Sequence, residues 1–273
     1  RERLEEYMAA FNQPQSTIAL EQGDYANTGF TQWGASGLAV AWAEENTRDS
    51  IFKAFKRKET FATTGSRIAV RFFGGFNLSS IDLNSESLVS EAYKKGVTMG
   101  ADLISDGEKS PEFIVWAQKD KNGASLQRVQ IIKGWMDTTS GRPSEKVFDV
   151  ACSDGLKVDP ITHRCPDNGA RVNISDCSIS QNIGSTELKT LWKDPEFKSS
   201  DKSFYYVRVL ENPTCRWSTW DAIKRGFKPR EDLHDTIQER AWSSPIWYIP
   251  SPSDVVLTIE NKSENDFVSE VDK

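Results

Sequence analysis

Histidine is almost missing from this chain: His163 and His234 are the only two in 273 residues. That scarcity excludes a multi-histidine metal centre built from its own side chains. Both lie in polar runs, "ITHRC" and "EDLHDTIQE", and read as surface positions. No apolar run approaches the roughly 20 residues of a membrane-crossing helix, so no membrane span is expected. The formal net charge of −6 leaves no basic footprint for a nucleic acid. No G-x-S-x-G elbow, P-loop or dinucleotide fingerprint occurs, and "FFGGF" lacks both the spacing and the following helix. The chain opens on Arg1 without a signal-peptide pattern and is expected to be a processed or truncated piece of something longer.

Cysteine is sparse but clustered. Cys152, Cys165 and Cys177 share the polar segment "ACSDGLKVDPITHRCPDNGARVNISDCS", and Cys215 follows. Metal-binding cysteines usually come as C-x-x-C pairs, which are lacking here. The four therefore read as two disulfides formed in an oxidising compartment, with three pairings open. Asp154, Asp159, Asp167, Asp176 and Asn168 offer oxygens of the kind calcium takes, but their spacing is not that of an EF-hand. A solvated disulfide loop is the better reading.

What the chain does have is pattern. Arg1 to Phe11 is helix-compatible, and the polar stretch from Asn12 to Ala35 reads as loop. Leu38 to Trp42 suits a short buried strand. A helix is expected from Asn46, capped by Asn46 or Thr47, with Ile51, Phe52 and Phe55 as its apolar face and Lys56, Arg57 and Lys58 near its C-terminus. Thr63, Thr64 and Gly65 break it, and from Ile68 to Phe73 the period becomes 2. Beyond lie short β-branched and aromatic runs: "PEFIVWAQKD", "SLQRVQIIKGW", "EKVFDVA", "SFYYVRVLEN" and "SPIWYIP". With turn residues between them, they predict an antiparallel sandwich or barrel. A tail from Ser251 holds one more strand-like run, "DVVLTIEN".

Few residues suggest chemistry. Glu44 and Glu45 follow a predicted strand, where a metal or substrate could be met, though they equally suit a helix N-terminus. Thr63, Thr64 and Arg67 could hold an anion through hydroxyls, turn amides and a guanidinium, or form a plain turn. Trp217, Trp220, Trp242 and Trp247, with Arg216 and Arg240, could form a ligand platform; an aromatic core is the more frequent outcome.

"GLAVAWAEENTRDSIFKAFKRKETFATTGSRIAVRFFGGF", "VQIIKGWMD", "RCPDNGA", "FYYVRVLENPTCRWSTWDAI" and "TIQERAWSSPIWY" together resemble the C-terminal portion of the domain-of-unknown-function family 3604. That likeness runs from about Gly37 to Tyr248. The family's members are large, mostly bacterial, often exported, and similar to the PHP (polymerase and histidinol phosphatase) metal-dependent hydrolases. The resemblance implies an α+β chain in three parts. Residues 1–66 would be the end of a PHP-like α/β domain, 67–250 a mainly antiparallel β-sandwich with the disulfide loop, and 251–273 a tail. It implies a periplasmic or secreted hydrolase of phosphoester or related ester bonds, dependent on divalent metal ions. No H-x-H occurs in this sequence, so the family's metal centre would lie outside this chain. The partner would be the N-terminal PHP-like segment, and Glu44, Glu45, Thr63, Thr64 and Arg67 would line the site. The alternative is a non-catalytic, disulfide-stapled binding or assembly module.

Overall fold

A computed structural model describes residues 37–107, 109–136 and 141–251. The helix expected at Arg1 to Phe11, the loop after it and the strand-like run in the tail lie outside the described residues. Two compact units are distinguished. The larger takes in residues 37–169, 182–212 and the chain from Glu239; the smaller contains 170–181 and 213–238.

The larger unit is a β-sandwich. One sheet has eight strands: β1 (Leu38–Ala41), β2 (Thr60–Thr63), β5 (Asp102–Ile104), β7 (Leu126–Met136), β8 (Pro143–Cys152), β12 (Ser203–Glu211), β15 (Arg240–Ser243) and β16 (Ile246–Ile249). β12 is its spine, pairing with β7 along one edge and with β15 and then β16 along the other. The second sheet runs β11 (Glu187–Lys193), β6 (Glu112–Gln118), β3 (Ala69–Gly75), β4 (Val97–Thr98). All pairings are antiparallel except β5 with β16. Alternation explains the layering, since successive side chains point to opposite faces. Val70, Phe72, Phe113 and Val115 of one sheet share a core with Val129, Ile131, Tyr205, Val207 and Val209 of the other. Phe113 and Tyr205 meet across it at 4.5 Å between centroids. The second sheet's other face carries Phe73 and Ile114, covered by Leu88 and Ala92 of helix α2 (Leu88–Lys95).

Helix α1 (Arg48–Lys56) starts as its cap predicts, with Thr47 Oγ1 accepting the Ser50 amide at 3.3 Å, but it ends at Lys56 and not at the Thr-Thr-Gly, because residues 60–63 are already strand β2. Its burial differs from expectation. Ser50 and Ala54 are the buried residues, while Phe52 and Phe55 are 61% and 53% exposed. Ser50 turns inward because its hydroxyl donates to Glu44 and accepts from the Glu45 amide. β1 and β2, which fall in the stretch expected to be an α/β remnant ending at residue 66, are strands of the larger sheet: the Trp42 amide donates to Glu59 O at 3.0 Å at the end of a β1–β2 ladder, and β2 pairs β15. The Thr-Thr-Gly therefore joins one sheet of the sandwich to the other.

Both disulfides form. Cys152 pairs with Cys165 within the larger unit, and Cys177 with Cys215 within the smaller, each with Cα atoms 5.6 Å apart. Closing loops of 13 and 38 residues reduces the unfolded chain's entropy by about 3 and about 4 kcal/mol. The smaller unit also holds two short antiparallel pairs, β9 (Val172–Asn173) with β10 (Ser178–Ile179) and β13 (Thr214–Cys215) with β14 (Thr236–Ile237), and helix α3 (Trp217–Arg225), closed by Gly226 at φ 73°, in the left-handed region that glycine adopts most readily. Trp217, Trp220 and Trp247, read as core, are instead 37%, 41% and 37% exposed. The acids of the cysteine loop cap turns: Asp159 accepts the amides of Ile161 and Thr162, Asp167 that of Gly169, and Asp154 that of Gly184.

Candidate functional site

A cleft of about 530 Å³ opens beside α2, lined by Trp42, Glu44, Arg57, Glu59, Arg71, Tyr93 and Thr98. Glu59 is its base. Helix α1 ends in a Schellman turn, with Lys58 accepted by Phe55 O and Glu59 by Ala54 O. Lys58 holds φ 57°, unusual for a residue with a Cβ. Gly100 makes room for that turn, since a Cβ there would stand 2.2 Å from Lys58 O. The chain so reversed points Glu59 inward, where it is 2% exposed.

A buried carboxylate must be paired and hydrogen-bonded. Glu59 accepts from Tyr93 Oη, from Thr98 Oγ1 at 3.2 Å and from Arg57 at 3.4 Å, with Arg71 Nη1 3.7 Å away. Arg71 also donates to Tyr93 Oη at 2.8 Å. Its guanidinium lies 3.6 Å from the ring centre of Trp42, whose indole N–H is fixed by Val70 O at 2.8 Å. Burial, and then the bond to Glu59, push the Tyr93 phenol up to about 12. Glu44 is held below the usual carboxylate value by its own backbone amide, the Ser50 hydroxyl and Arg57.

On the other side of Arg71 lies an apolar hollow of about 280 Å³, walled by Trp42, Val89 and Trp116, with Gln118 at its rim. One stacked guanidinium thus separates a charged compartment from an apolar one.

Of the residues expected to line a site, Glu44 alone reaches this cleft. Glu45 is exposed beside it. Thr63 is buried in β2, and its hydroxyl accepts the Gly65 amide at 3.2 Å. Thr64 and Arg67 lie past the opposite end of β2, among acids rather than around an anion. Thr64 Oγ1 donates to Glu239, and the Arg67 amide donates to Asp120 at 2.7 Å. Glu211 is buried near them, its carboxyl raised to about 7 by burial and by the charge of Glu239. Arg71, Tyr93 and Thr98 were missed, although Leu88 and Ala92, with Val89 and Tyr93, give the i, i+4 spacing of a helix.

The cleft does not fit a divalent metal, because Arg57 bridges both of its carboxylates, 3.1 Å from Glu44 and 3.4 Å from Glu59. Among the described residues no group of three or more His, Cys, Asp and Glu is placed to hold one. Among them, too, no helix is long and apolar enough to cross a membrane.

A family model described as a protein of unknown function (DUF3604) matches residues 5–250. The chain belongs to that family. No curated protein and no solved structure matches it.

Proposed function

We propose that this DUF3604 chain is a ligand-recognition module that binds an organic anion. The phosphate or carboxylate sits on Arg57 and Arg71, and an apolar body enters the Trp42–Trp116 hollow. One observation carries this reading: the Arg71 guanidinium is clamped on Trp42 between a charged compartment and an apolar one. Guanidinium groups suit such anions because their N–H forks match the oxygens. Glu44, on the rim with its side chain 66% exposed, occupies Arg57 as an incoming anion would.

The hydrolase of phosphoester or related ester bonds, exported and metal-dependent, belongs to this proposal as the use that recognition serves. In it, this chain's cleft selects the substrate, and a divalent ion held by ligands outside this chain would supply the ester polarisation and water activation. The two disulfides suit the oxidising, periplasmic or secreted setting this requires. The binding-module alternative keeps the same cleft without cleavage.

Calorimetric titration with phenyl phosphate tests the reading. The expected result is saturable binding, weakened at least tenfold in Arg71→Ala and tightened a few-fold in Glu44→Gln. No binding, or equal affinity in all three proteins, overturns it.

A further inference from the structure

A second recessed surface lies on the eight-stranded sheet, away from the Glu59 cleft. It has a volume of about 400 Å³ and is lined by Trp135, Met136, Pro143, Ser144, Glu145, Lys202, Phe204 and Trp247. Register explains its shape. Glu145 pairs with Gly134, Gly134 with Phe204, and Phe204 with Trp247, so one row of side chains crosses four strands. On an antiparallel sheet such a row shares one face.

Gly134 is the unusual member of that row. A Cβ there would meet the Phe204 ring at 2.2 Å. The ring therefore folds down over the bare glycine backbone instead of standing up from the sheet. Trp247 packs beside it at 5.1 Å between centroids, and Tyr206 continues the strip at 6.3 Å and 15° between planes. Aromatic area is thus laid along the sheet, with Ser144, Glu145 and Lys202 around it.

We propose that this groove binds a neutral oligosaccharide chain. Lowered rings present their faces to the C–H surfaces of sugar rings, while a rim with one acid, one base and one hydroxyl meets hydroxyl groups without favouring either charge. A second copy of the chain is a poorer occupant. Met136 and Trp247 are the groove's two exposed large apolar side chains, whereas a stable interface takes roughly 20–30 residues a side.

Affinity electrophoresis in native gels cast with hydroxyethyl cellulose or laminarin tests this, with a polysaccharide-free gel as reference. Wild type is expected to be retarded by at least one of the two. Trp247→Ala, shown to be folded by its mobility in the polysaccharide-free gel, should lose at least tenfold in affinity. Gly134→Ala should lose it too, by lifting Phe204, although it removes no contacting group. Retardation by neither polymer overturns the proposal, as does equal retardation of the three proteins. So does a shift in size-exclusion elution confined to Trp247→Ala, which would make the groove a self-association surface. Arg71→Ala should be retarded like wild type, so the two sites fail or stand separately.

Discussion

Two networks in the larger unit bury a carboxylate against a cation, and they differ in one respect. At the end of the sandwich core, Lys133 Nζ lies 2.6 Å from Asp194 Oδ2, with side chains 3% and 0% exposed. Tyr205 Oη donates to the same oxygen at 2.7 Å, the Glu196 amide to the other at 2.9 Å, and Lys133 also reaches Glu196 O at 2.8 Å. In the Glu59 network the carboxylate is as deeply buried, but its cations are not: Arg57 and Arg71 are 38% and 22% exposed. The first network is closed by protein on every side, so it can only hold strands together. The second turns its cations to a cleft, where a ligand can share them.

The comparison breaks first if the closed network proves dispensable. Lys133→Met leaves the buried Asp194 without its cation, which should cost about 3–5 kcal/mol, read as a lower midpoint in urea. Lys133→Met with Asp194→Leu should recover most of that loss, because no orphan charge remains. A single-variant loss below about 1 kcal/mol would show that water already reaches the pair.

Glu59→Gln should cost less, about 1–3 kcal/mol, because a neutral amide still accepts from Tyr93 and Thr98. The Tyr93 phenol should then titrate below its present value of about 12. Burial, its larger cause, keeps it above the ordinary tyrosine value. Absorbance at alkaline pH reads this directly, and an unmoved titration would uncouple Tyr93 from Glu59.

Glu211 supplies the contrasting case of a carboxylate buried among acids. Its value near 7 lies above that of an unfolded glutamate, so the folded state binds the proton more tightly. Its contribution to stability is whole below about pH 4 and is lost as the pH rises through 7. Between pH 5 and pH 8 wild type should lose about 2–3 kcal/mol more than Glu211→Gln. Parallel urea midpoints in the two proteins would refute the assignment.

Strand patterning carried most of the fold in advance. "SFYYVRVLE" and "LQRVQIIKGWM" alternate, or run apolar, as the two central strands they are. What period could not reveal was partnership. The strand and helix that follow Gly37 look like the end of an α/β domain, yet an antiparallel ladder seats β1 and β2 in the sandwich. α1's aromatic stripe looks like a core face, yet a hydroxyl wins the inner position because Glu44 and the Glu45 amide need it. The cleft was legible only at Glu44. Its other members come from five further elements and turns, between residues 42 and 98, and no local spacing brings Arg71 onto Trp42. The cysteines were legible as two disulfides, whereas their pairing depended on which loops each unit folds together within itself.

Arg57→Ala should give the smallest change in stability and the sharpest reading of the comparison. Its contacts to Glu44 and Glu59 are partly solvated, and such pairs contribute about 0–1 kcal/mol. Glu59 keeps Tyr93, Thr98 and the nearby Arg71, so no orphan charge arises. If the open network exists to share its cations, phenyl phosphate affinity should still fall about tenfold, equivalent to about 1.4 kcal/mol. A variant that unfolds like Lys133→Met would show that Arg57 is structural after all, and the distinction between the two networks would collapse. Stability kept and binding lost would place the difference where the exposures place it, on the side of each network that faces water.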